Sequence, residues 1–326
     1  MEGAVHAIEV EGEGLVWREV APAPCGPGEV RVEIAATAIN RADLIQRTGG
    51  YPPPPGASSI MGLECAGVVA ETGEGVTRVS VGDEVCALLS GGGYASETIV
   101  PAGQVLGIPK GLSLAEAAAI PEVFATAYLN LYMEAGIRVG ERALIHAGAS
   151  GVGTAASQML KASGNPCFVT ASGDEKIARC LTLGAQAGHD RGKGGFLDAV
   201  QAWTGQEGVD VVLDPVGGQY LADNLASLRL NGRLILIGLM SGAVSEINLG
   251  LLMMKRLTVV GSTLRARPIA EKAAVMDALK RDVWPNFENG SVKPIIEEII
   301  PIEKAEDAHA LVASNQTVGK VVMSVN

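Results

Sequence analysis

Two patterns of apolar and polar residues follow one another along the chain. In roughly the first 120 residues, short apolar stretches alternate with turns. Val30, Val32 and Ile34 are separated by single charged residues, which is the period of two expected of a half-buried strand. The prolines at 52–55 predict an extended surface loop. This part of the chain is therefore predicted to form a compact β-rich domain.

The pattern changes at Pro121, a residue well suited to the first turn of a helix. Short apolar runs now alternate with segments of helical spacing. Strands are predicted over 142–146, 167–170, 209–214 and 233–237, with helices from 121 onward and over 154–162 and 174–183. Strands that alternate with helices predict a parallel, doubly wound sheet of the Rossmann type.

The last part of the chain, after about Arg265, predicts helices over 269–279 and 305–312 and a final strand over 320–323. The simplest layout returns this segment to the β-rich domain. The predicted domains are thus 1–121 with 266–326, and an inserted Rossmann domain over 122–265. In this α/β architecture we expect the active site in the cleft between the two domains.

Composition and charge exclude several classes of protein. Hydrophobic residues make up 48% of the chain, and the net charge is −11, without a cluster of Lys and Arg, so no nucleic-acid partner is expected. No apolar run approaches the length of a membrane span, and the acidic N-terminal segment does not resemble a signal peptide. The five dispersed cysteines predict reduced thiols and a cytoplasmic location.

A glycine-rich loop follows the strand that ends at His146, and a helix begins directly after it. Glycines in this position let a pyrophosphate approach the backbone, where the free N–H groups of the helix hold the anion. The alternative interpretation is a tight strand-to-helix turn without a ligand. The strand–turn–helix context and the next strand favour a dinucleotide site made of Gly148, Ala149, Ser150, Gly151, Val152 and Gly153.

The residues at the end of the second strand of the predicted Rossmann domain, 167–170, decide between NAD and NADP. A carboxylate there would accept hydrogen bonds from a ribose 2′-hydroxyl and repel a 2′-phosphate. The strand ends without an acid, and Ser172, Lys176 and Arg191 are predicted to bind the 2′-phosphate of NADPH. The neighbouring acids Asp174, Glu175 and Asp190 weigh against this prediction, and both cations could instead be ordinary surface charges.

Five short motifs occur in an order that is similar to a known family. They resemble the zinc-independent quinone oxidoreductases of the medium-chain dehydrogenase/reductase superfamily, and the similarity runs almost end to end. The resemblance implies that the β-rich part is a GroES-like catalytic domain and that the protein is a homodimer. Besides the glycine loop, the motifs are 40–44, 62–64, 214–218 and 261–265.

The resemblance also predicts that no metal is bound. In the zinc alcohol dehydrogenases of this superfamily, the ligand positions correspond to Asn40, Leu63 and Glu122. Leucine is not a ligand, an amide is a poor one, and a single carboxylate does not hold zinc. Without a Lewis acid, an activated acceptor such as a quinone or another conjugated carbonyl compound is favoured over an alcohol.

Several further residues take a role from the resemblance alone. Tyr51 is expected beside the nicotinamide and the substrate, where its hydroxyl would donate a hydrogen bond; packing is the alternative. Asn40 is expected in the cleft, or in a turn. The interdomain residue Thr126 is expected near the nicotinamide amide, although a buried helix threonine is nearly as plausible.

Further cofactor contacts are expected from three loops and one lysine. Gly218 belongs to one of the shared motifs, and Gly238, Leu239 and Met240 end a strand at the ligand-binding edge of the sheet. The resemblance implies that Thr263, Leu264 and Arg265 contact the nicotinamide carboxamide, unless they only cross between domains. Lys320 is expected either to bind a cofactor phosphate or to face solvent, and His309 to lie on the surface without a role.

The resulting prediction is an NADPH-dependent enzyme that reduces quinones. One alternative in the same fold is an NADPH-dependent enone or alkenal double-bond reductase, which needs the same metal-free cleft. A second alternative is a protein that binds NADPH as a sensor with little turnover.

Overall fold

The computed structural model describes residues 4–12 and 14–325. The chain divides into two compact units: unit 1 runs up to Ala125 and resumes at Leu264, and unit 2 comprises Thr126–Thr263. The strands of the described chain are β1 (Val5–Glu11), β2 (Gly14–Val20), β3 (Glu29–Ala38), β4 (Glu64–Thr72), β5 (Glu84–Leu88), β6 (Glu97–Pro101), β7 (Val105–Gly107), β8 (Ala143–Ile145), β9 (Cys167–Ala171), β10 (Ala187–Asp190), β11 (Val209–Asp214), β12 (Leu228–Leu236), β13 (Thr258–Gly261), β14 (Ile296–Pro301) and β15 (Lys320–Ser324).

The α-helices are somewhat fewer and mostly short. They are α1 (Arg41–Arg47), α2 (Leu114–Ala117), α3 (Pro121–Tyr128), α4 (Gly151–Ala162), α5 (Asp174–Leu183), α6 (Leu197–Thr204), α7 (Leu221–Ser227), α8 (Leu249–Met254), α9 (Ile269–Asp282), α10 (Trp284–Glu288) and α11 (Ala305–Ala313). A π-helical segment, Leu129–Glu134, continues α3. None of the helices in the described ranges is both long and apolar enough to cross a membrane.

Unit 1 is built on a seven-stranded sheet in the order β14-β15-β3-β4-β5-β7, with β6 also paired to β3. The period of two seen in the sequence places Val30 and Val32 fully inside, and Ile34 is 3% exposed. Strand β15 pairs antiparallel with β3, so Val322 lies opposite Ala38. The C-terminal segment therefore completes the same sheet and core as the N-terminal strands.

Unit 2 contains a six-stranded parallel sheet in the order β10-β9-β8-β11-β12-β13. From β8 the strand order runs outward through β9 and β10 on one side, and from β11 it runs outward through β12 and β13 on the other. The order of the strands therefore reverses between the adjacent strands β8 and β11. Since the strands are parallel, the loops after them meet at the carboxyl edge, where ligands bind at such a switch point. The predicted strands and helices of this region are confirmed, with α5 and β11 at the predicted bounds.

Candidate active site

The glycine loop of unit 2 turns between β8 and α4 within a narrow space. Ala147 has a φ of 51°, and the N–H of Gly148 donates to the carbonyl of Thr170 at 2.8 Å. A Cβ at Gly148 would lie 2.6 Å from the Cβ of Val169. A Cβ at Gly153 would lie 2.5 Å from the carbonyl oxygen of Ala147. Both positions therefore require glycine, because the loop packs closely against a neighbouring strand and against its own backbone.

The first turn of α4 presents backbone N–H groups at this loop. The side chain of Ser150 caps the helix by accepting the N–H of Gly153 at 3.1 Å. The first four N–H groups of an α-helix have no partner within the helix, and one of them is satisfied here by the cap. The predicted residues 148–153 thus form the turn into α4 and its first residues, and their contact with a phosphate stays a prediction.

Two of the three acids beside the predicted 2′-phosphate pocket, Asp174 and Asp190, are already engaged. One carboxylate oxygen of Asp190 accepts the backbone N–H groups of Gly173 at 2.8 Å and Gly192 at 2.9 Å, and these hydrogen bonds lower the pKa of Asp190. Asp174 forms an ion pair with Lys193, whose Nζ lies 2.6 Å from Oδ1. Asp190 thus fixes the loop and Asp174 is paired with a lysine, whereas Glu175 is exposed.

The predicted phosphate ligands lie at the carboxyl ends of β9 and β10. Ser172 follows β9 and is partly exposed, Lys176 lies in the first turn of α5, and Arg191 directly follows β10 and is exposed. Arg191 also acts electrostatically on Tyr220. Lys193, two positions after Arg191, is a further cation of this loop, but its charge is balanced by Asp174.

A buried polar network supports the loop after β11. Asn224 donates from Nδ2 to Asp214 at 2.9 Å, and its Oδ1 therefore faces His146 Nε2 at 2.6 Å. His146 must donate from Nε2, so its Nδ1 accepts the hydroxyl of Thr170 at 2.8 Å. Burial lowers the pKa of His146 to about 4, which keeps the ring neutral at pH 7. This network was not predicted, although Asp214 follows an apolar strand.

The carboxylate of Asp214 fixes the backbone of the loop at 214–218. It accepts the N–H groups of Val216 at 2.6 Å and Gly217 at 3.2 Å. Burial raises the pKa of Asp214 to about 6, with the hydrogen bonds acting in the opposite direction. A predicted cofactor residue, Gly218, follows in this loop and donates its N–H to the carbonyl of Gly242 at 3.1 Å.

The segment Gly238–Met240 lies against that loop. The N–H of Met240 donates to the carbonyl of Pro215 at 3.2 Å, and a Cβ at Gly238 would lie 2.7 Å from the same carbonyl oxygen. The side chains of Leu239 and Met240 are more than half exposed. The structure therefore brings two of the predicted cofactor segments together at the carboxyl edge of the sheet.

Two predicted threonines lie at the ends of unit 2. The carbonyl of Thr126 accepts the side-chain amide of Asn130 at 2.7 Å, within the first turns of the unit. Thr263 is exposed and follows β13.

In unit 1, Lys320 is buried in an ion pair, which corrects both expectations for this residue. Its Nζ lies 2.8 Å from Glu64 Oε1 and donates to Asn40 Oδ1 and to the carbonyl of Ile39, each at 2.6 Å. The side chain is 4% exposed and that of Glu64 is 0% exposed. Three oxygens of unit 1 thus accept from the ammonium group. It neither faces solvent nor has a donor left for a phosphate.

Asn40 belongs to the same buried group, which we call the Lys320 cluster (Asn40, Glu64 and Lys320). Besides accepting from Lys320, Asn40 donates from Nδ2 to Glu64 Oε1 at 2.9 Å. Both polar atoms of its amide are engaged within this cluster, and its catalytic role stays a prediction. Among the residues that the structure describes, no group of three or more His, Cys, Asp or Glu could hold a metal ion.

The side chain of Arg265 is also held within unit 1, and its contact with the nicotinamide stays a prediction. Its guanidinium donates to the carbonyls of Ser90 at 2.9 Å and Tyr51 at 3.1 Å, and to Gln46 Oε1 at 2.7 Å. The preceding Leu264 is buried. Arg265 lies 5.1 Å from the ring centroid of Tyr51, so it fixes both the backbone and the ring of this predicted substrate residue.

His309 is buried rather than on the surface, contrary to expectation. Its Nε2 lies 3.1 Å from the hydroxyl of Tyr94, and the two rings meet edge to face. The same hydroxyl donates to Asp43 Oδ2 at 3.1 Å, and that carboxylate also accepts the N–H of Asn40 at 2.7 Å. The hydrogen bonds thus form a continuous connection from α11 to the N-terminus of α1.

Comparisons with known proteins now identify the family. A model of the alcohol dehydrogenase GroES-like domain matches residues 26–125, and one of the zinc-binding dehydrogenases matches residues 151–281. Quinone oxidoreductase-like protein 2 of Rattus norvegicus is 32% identical over 312 residues, which cover 95% of this chain and 89% of that protein. The chain belongs to the medium-chain dehydrogenase/reductase superfamily. It is therefore an oxidoreductase, as the resemblance predicted.

Solved structures of the superfamily confirm the predicted fold, a parallel Rossmann-type sheet together with a GroES-like domain. The quinone oxidoreductase of Escherichia coli complexed with NADPH superimposes with a TM-score of 0.84 at 28% identity, covering 98% of this chain and 99% of that one. The JamJ enoyl reductase superimposes with a TM-score of 0.88 at 27% identity, covering 99% and 100%.

Proposed function

We propose that this superfamily member reduces quinones with electrons from NADPH. The single observation that carries the proposal is the glycine-rich turn between β8 and α4 in unit 2. The glycine loop leaves no room for a Cβ at Gly148 or Gly153, and two of the three acids near the proposed 2′ position, Asp174 and Asp190, are engaged by groups of the protein. The similarity to a quinone oxidoreductase complexed with NADPH supports the same conclusion.

The residues that would hold NADPH follow from this geometry. The first-turn amides of α4 would bind the diphosphate, and Ser172, Lys176 and Arg191 would bind the 2′-phosphate. Gly218, residues 238–240, Thr126 and Thr263 are proposed to line the rest of the coenzyme site. When bound, NADPH supplies a hydride; the protein positions the two reactants.

On the acceptor side, Tyr51 is proposed to orient the carbonyl oxygen of the quinone through its hydroxyl. Arg265 supports this role because it fixes the Tyr51 backbone by a hydrogen bond and stacks over the ring. A quinone accepts electrons readily, so the acceptor requires orientation more than strong polarisation.

The proposal is tested by measuring NADPH and NADH oxidation across a panel of quinones, enals and simple alcohols under initial-rate conditions. We expect turnover of quinones with NADPH and a higher KM for NADH. Preferential use of NADH, or oxidation of alcohols with little reduction of quinones, would contradict it. Binding of NADPH without consumption with any acceptor would instead indicate a sensor.

A second candidate is reduction of a conjugated carbon–carbon double bond, favoured by the likeness to the JamJ enoyl reductase. The two activities place the hydride on different atoms of a conjugated acceptor. Comparing kcat/KM for a quinone with that for an enal or enoyl thioester separates them, and a preference for the double bond by tenfold or more would favour the second candidate.

We also propose that the protein is a cytoplasmic homodimer. The five cysteines are free, and four of them are buried, in keeping with a reducing compartment. Light scattering coupled to size-exclusion chromatography checks the dimer, and fractionation of the source cells checks the compartment.

A further inference from the structure

Glu122 is an acidic side chain that none of the roles above uses. It lies in the first turn of α3, within unit 1. Its Oε2 atom is buried and has no hydrogen-bond partner among the described residues, whereas the side chain as a whole remains partly exposed. A buried oxygen that lacks a donor disfavours the ionised carboxylate, because a carboxylate accepts hydrogen bonds at both oxygens.

The neighbouring Glu64 differs from Glu122 in the hydrogen-bond donors around its carboxyl group. Glu64 accepts from Lys320 and Asn40 at Oε1, and its Oε2 accepts the backbone N–H of Glu122 at 2.9 Å. All of these donors stabilise a carboxylate. Hydrogen-bond donors thus surround the carboxyl group of Glu64, whereas Oε2 of Glu122 has none among the described residues.

Charged groups on several elements act on Glu122. Burial raises its pKa most, and Glu64 and Asp43 raise it further, whereas Lys320 and Arg265 lower it. The resulting pKa is about 8, so the group carries a proton at neutral pH. Glu122 in turn interacts electrostatically with Tyr51 and Lys272. These interactions place the acid in the same charged environment as the predicted substrate residue.

We propose that the carboxyl group of Glu122 is the proton donor for reduction of the acceptor, an inference that rests on the proposed function. As the acceptor takes up a hydride from NADPH, the two electrons leave negative charge on its carbonyl oxygen. The O–H bond of Glu122 breaks and the proton bonds to that oxygen. The carboxylate of Glu122 then regains a proton from water, so each turnover consumes one NADPH and one solvent proton.

Tyr51 is the weaker acid of the two. Burial and the negative charge of Glu122 raise the pKa of the Tyr51 hydroxyl above 10, and Arg265 only partly opposes this. Tyr51 therefore orients the acceptor by donating a hydrogen bond, while Glu122 transfers the proton. A donor with a pKa near the working pH is the more efficient catalyst.

The test compares Glu122→Gln with the wild type and with Glu303→Gln, a matched change at an exposed glutamate of unit 1. We expect Glu122→Gln to lower kcat for quinone reduction about 10²-fold at pH 7, with little change in the affinity for NADPH. The wild-type kcat should fall as pH rises through about 8, whereas that of Glu122→Gln should stay flat. Glu122→Asp should retain part of both the rate and the pH dependence.

A second measurement needs neither coenzyme nor acceptor. The infrared spectrum of the wild type at pH 7 should contain the carbonyl stretch of a protonated carboxyl that is absent from Glu122→Gln and disappears above about pH 8. Circular dichroism confirms that the variant is folded.

The outcomes separate this inference from the proposed function. A wild type that consumes no NADPH with any acceptor would contradict the proposed function, whatever the infrared result. An active wild type whose rate and pH profile survive in Glu122→Gln, or whose infrared band is missing at pH 7, would overturn the role of Glu122 alone.

Discussion

The glycine loop of unit 2 and the Lys320 cluster of unit 1 bind charge by opposite means. The loop offers backbone N–H groups from consecutive residues, and its specificity lies in the absence of side chains at Gly148 and Gly153. The cluster joins side chains from three distant parts of the chain and buries a complete ion pair. A backbone site is therefore sensitive to added atoms, whereas a side-chain site is sensitive to removed ones.

Removing the cation of the cluster should give the largest effect. Lys320→Met leaves Glu64 buried without its charge partner, and we expect a loss of about 3–5 kcal/mol in the free energy of unfolding. Urea denaturation measures this loss. Adding Glu64→Gln to Lys320→Met should restore much of the stability, because no unpaired charge then remains.

The matched control is Lys193→Met, which breaks an exposed ion pair with Asp174. Its effect on unfolding should be small, since solvent screens exposed pairs. If both lysine variants lose similar stability, the distinction between the two kinds of site is wrong.

Adding one methyl group to the glycine loop should lower the affinity for the coenzyme rather than change the packing of the core. Gly153→Ala places a Cβ against the backbone of residues 147 and 148, and we expect the affinity for NADPH to fall about a hundredfold, or about 2.7 kcal/mol. Fluorescence titration measures the Kd. Gly107→Ala is the control, because its Cβ would meet nothing within 4 Å; equal losses would contradict the steric explanation.

The proton on Glu122 should also appear in the stability of unit 1. Between about pH 4.5 and 8, the folded chain retains a proton that the unfolded chain has released. Unfolding thus releases a proton, and rising pH favours it. We expect the wild type to lose about 2 kcal/mol relative to Glu122→Gln across this window, less than the full shift because the side chain is partly exposed. Denaturation midpoints at pH 5, 6.5 and 8 check this, and parallel curves would contradict it.

The smallest expected effect concerns the choice of coenzyme. Lys176→Ala should raise the KM for NADPH about tenfold and leave that for NADH nearly unchanged, because only NADPH carries the 2′-phosphate. Lys280→Ala changes an exposed lysine of unit 1 and should affect neither value. Equal increases for both coenzymes would remove Lys176 from the phosphate pocket.

The same contrast explains what could be predicted from the sequence. The glycine loop and the alternating strands were predictable because their signals lie in neighbouring residues. Strand β9 and helix α5 follow their apolar patterns almost to the residue. Helix α4 begins at Gly151, three residues before the predicted start. The predicted start was too late because glycine has a low helix propensity, so the glycines of the loop hide the first turn in the sequence.

The side-chain site was largely unpredictable for the same reason. Nothing in Gly319-Lys320-Val321 indicates that this lysine pairs with Glu64, because the partner on β4 is brought near only when β3 pairs with both β15 and β4. His309 was misplaced because its helix has no strongly apolar face. The sequence contains one signal for the buried ion pair. At both Glu64 and Lys320, a charged residue lies directly beside apolar residues of a strand.

The pairing of β15 with β3 has a consequence for the way the chain is made. Lys320 follows Glu64 by 256 positions, and a ribosome needs roughly 13 to 50 seconds to add that many residues. Unit 2 is contiguous and is complete before the last strand leaves the ribosome. We therefore expect unit 2 to fold first, while an unneutralised Glu64 and an open edge of β3 make the nascent unit 1 a client of chaperones.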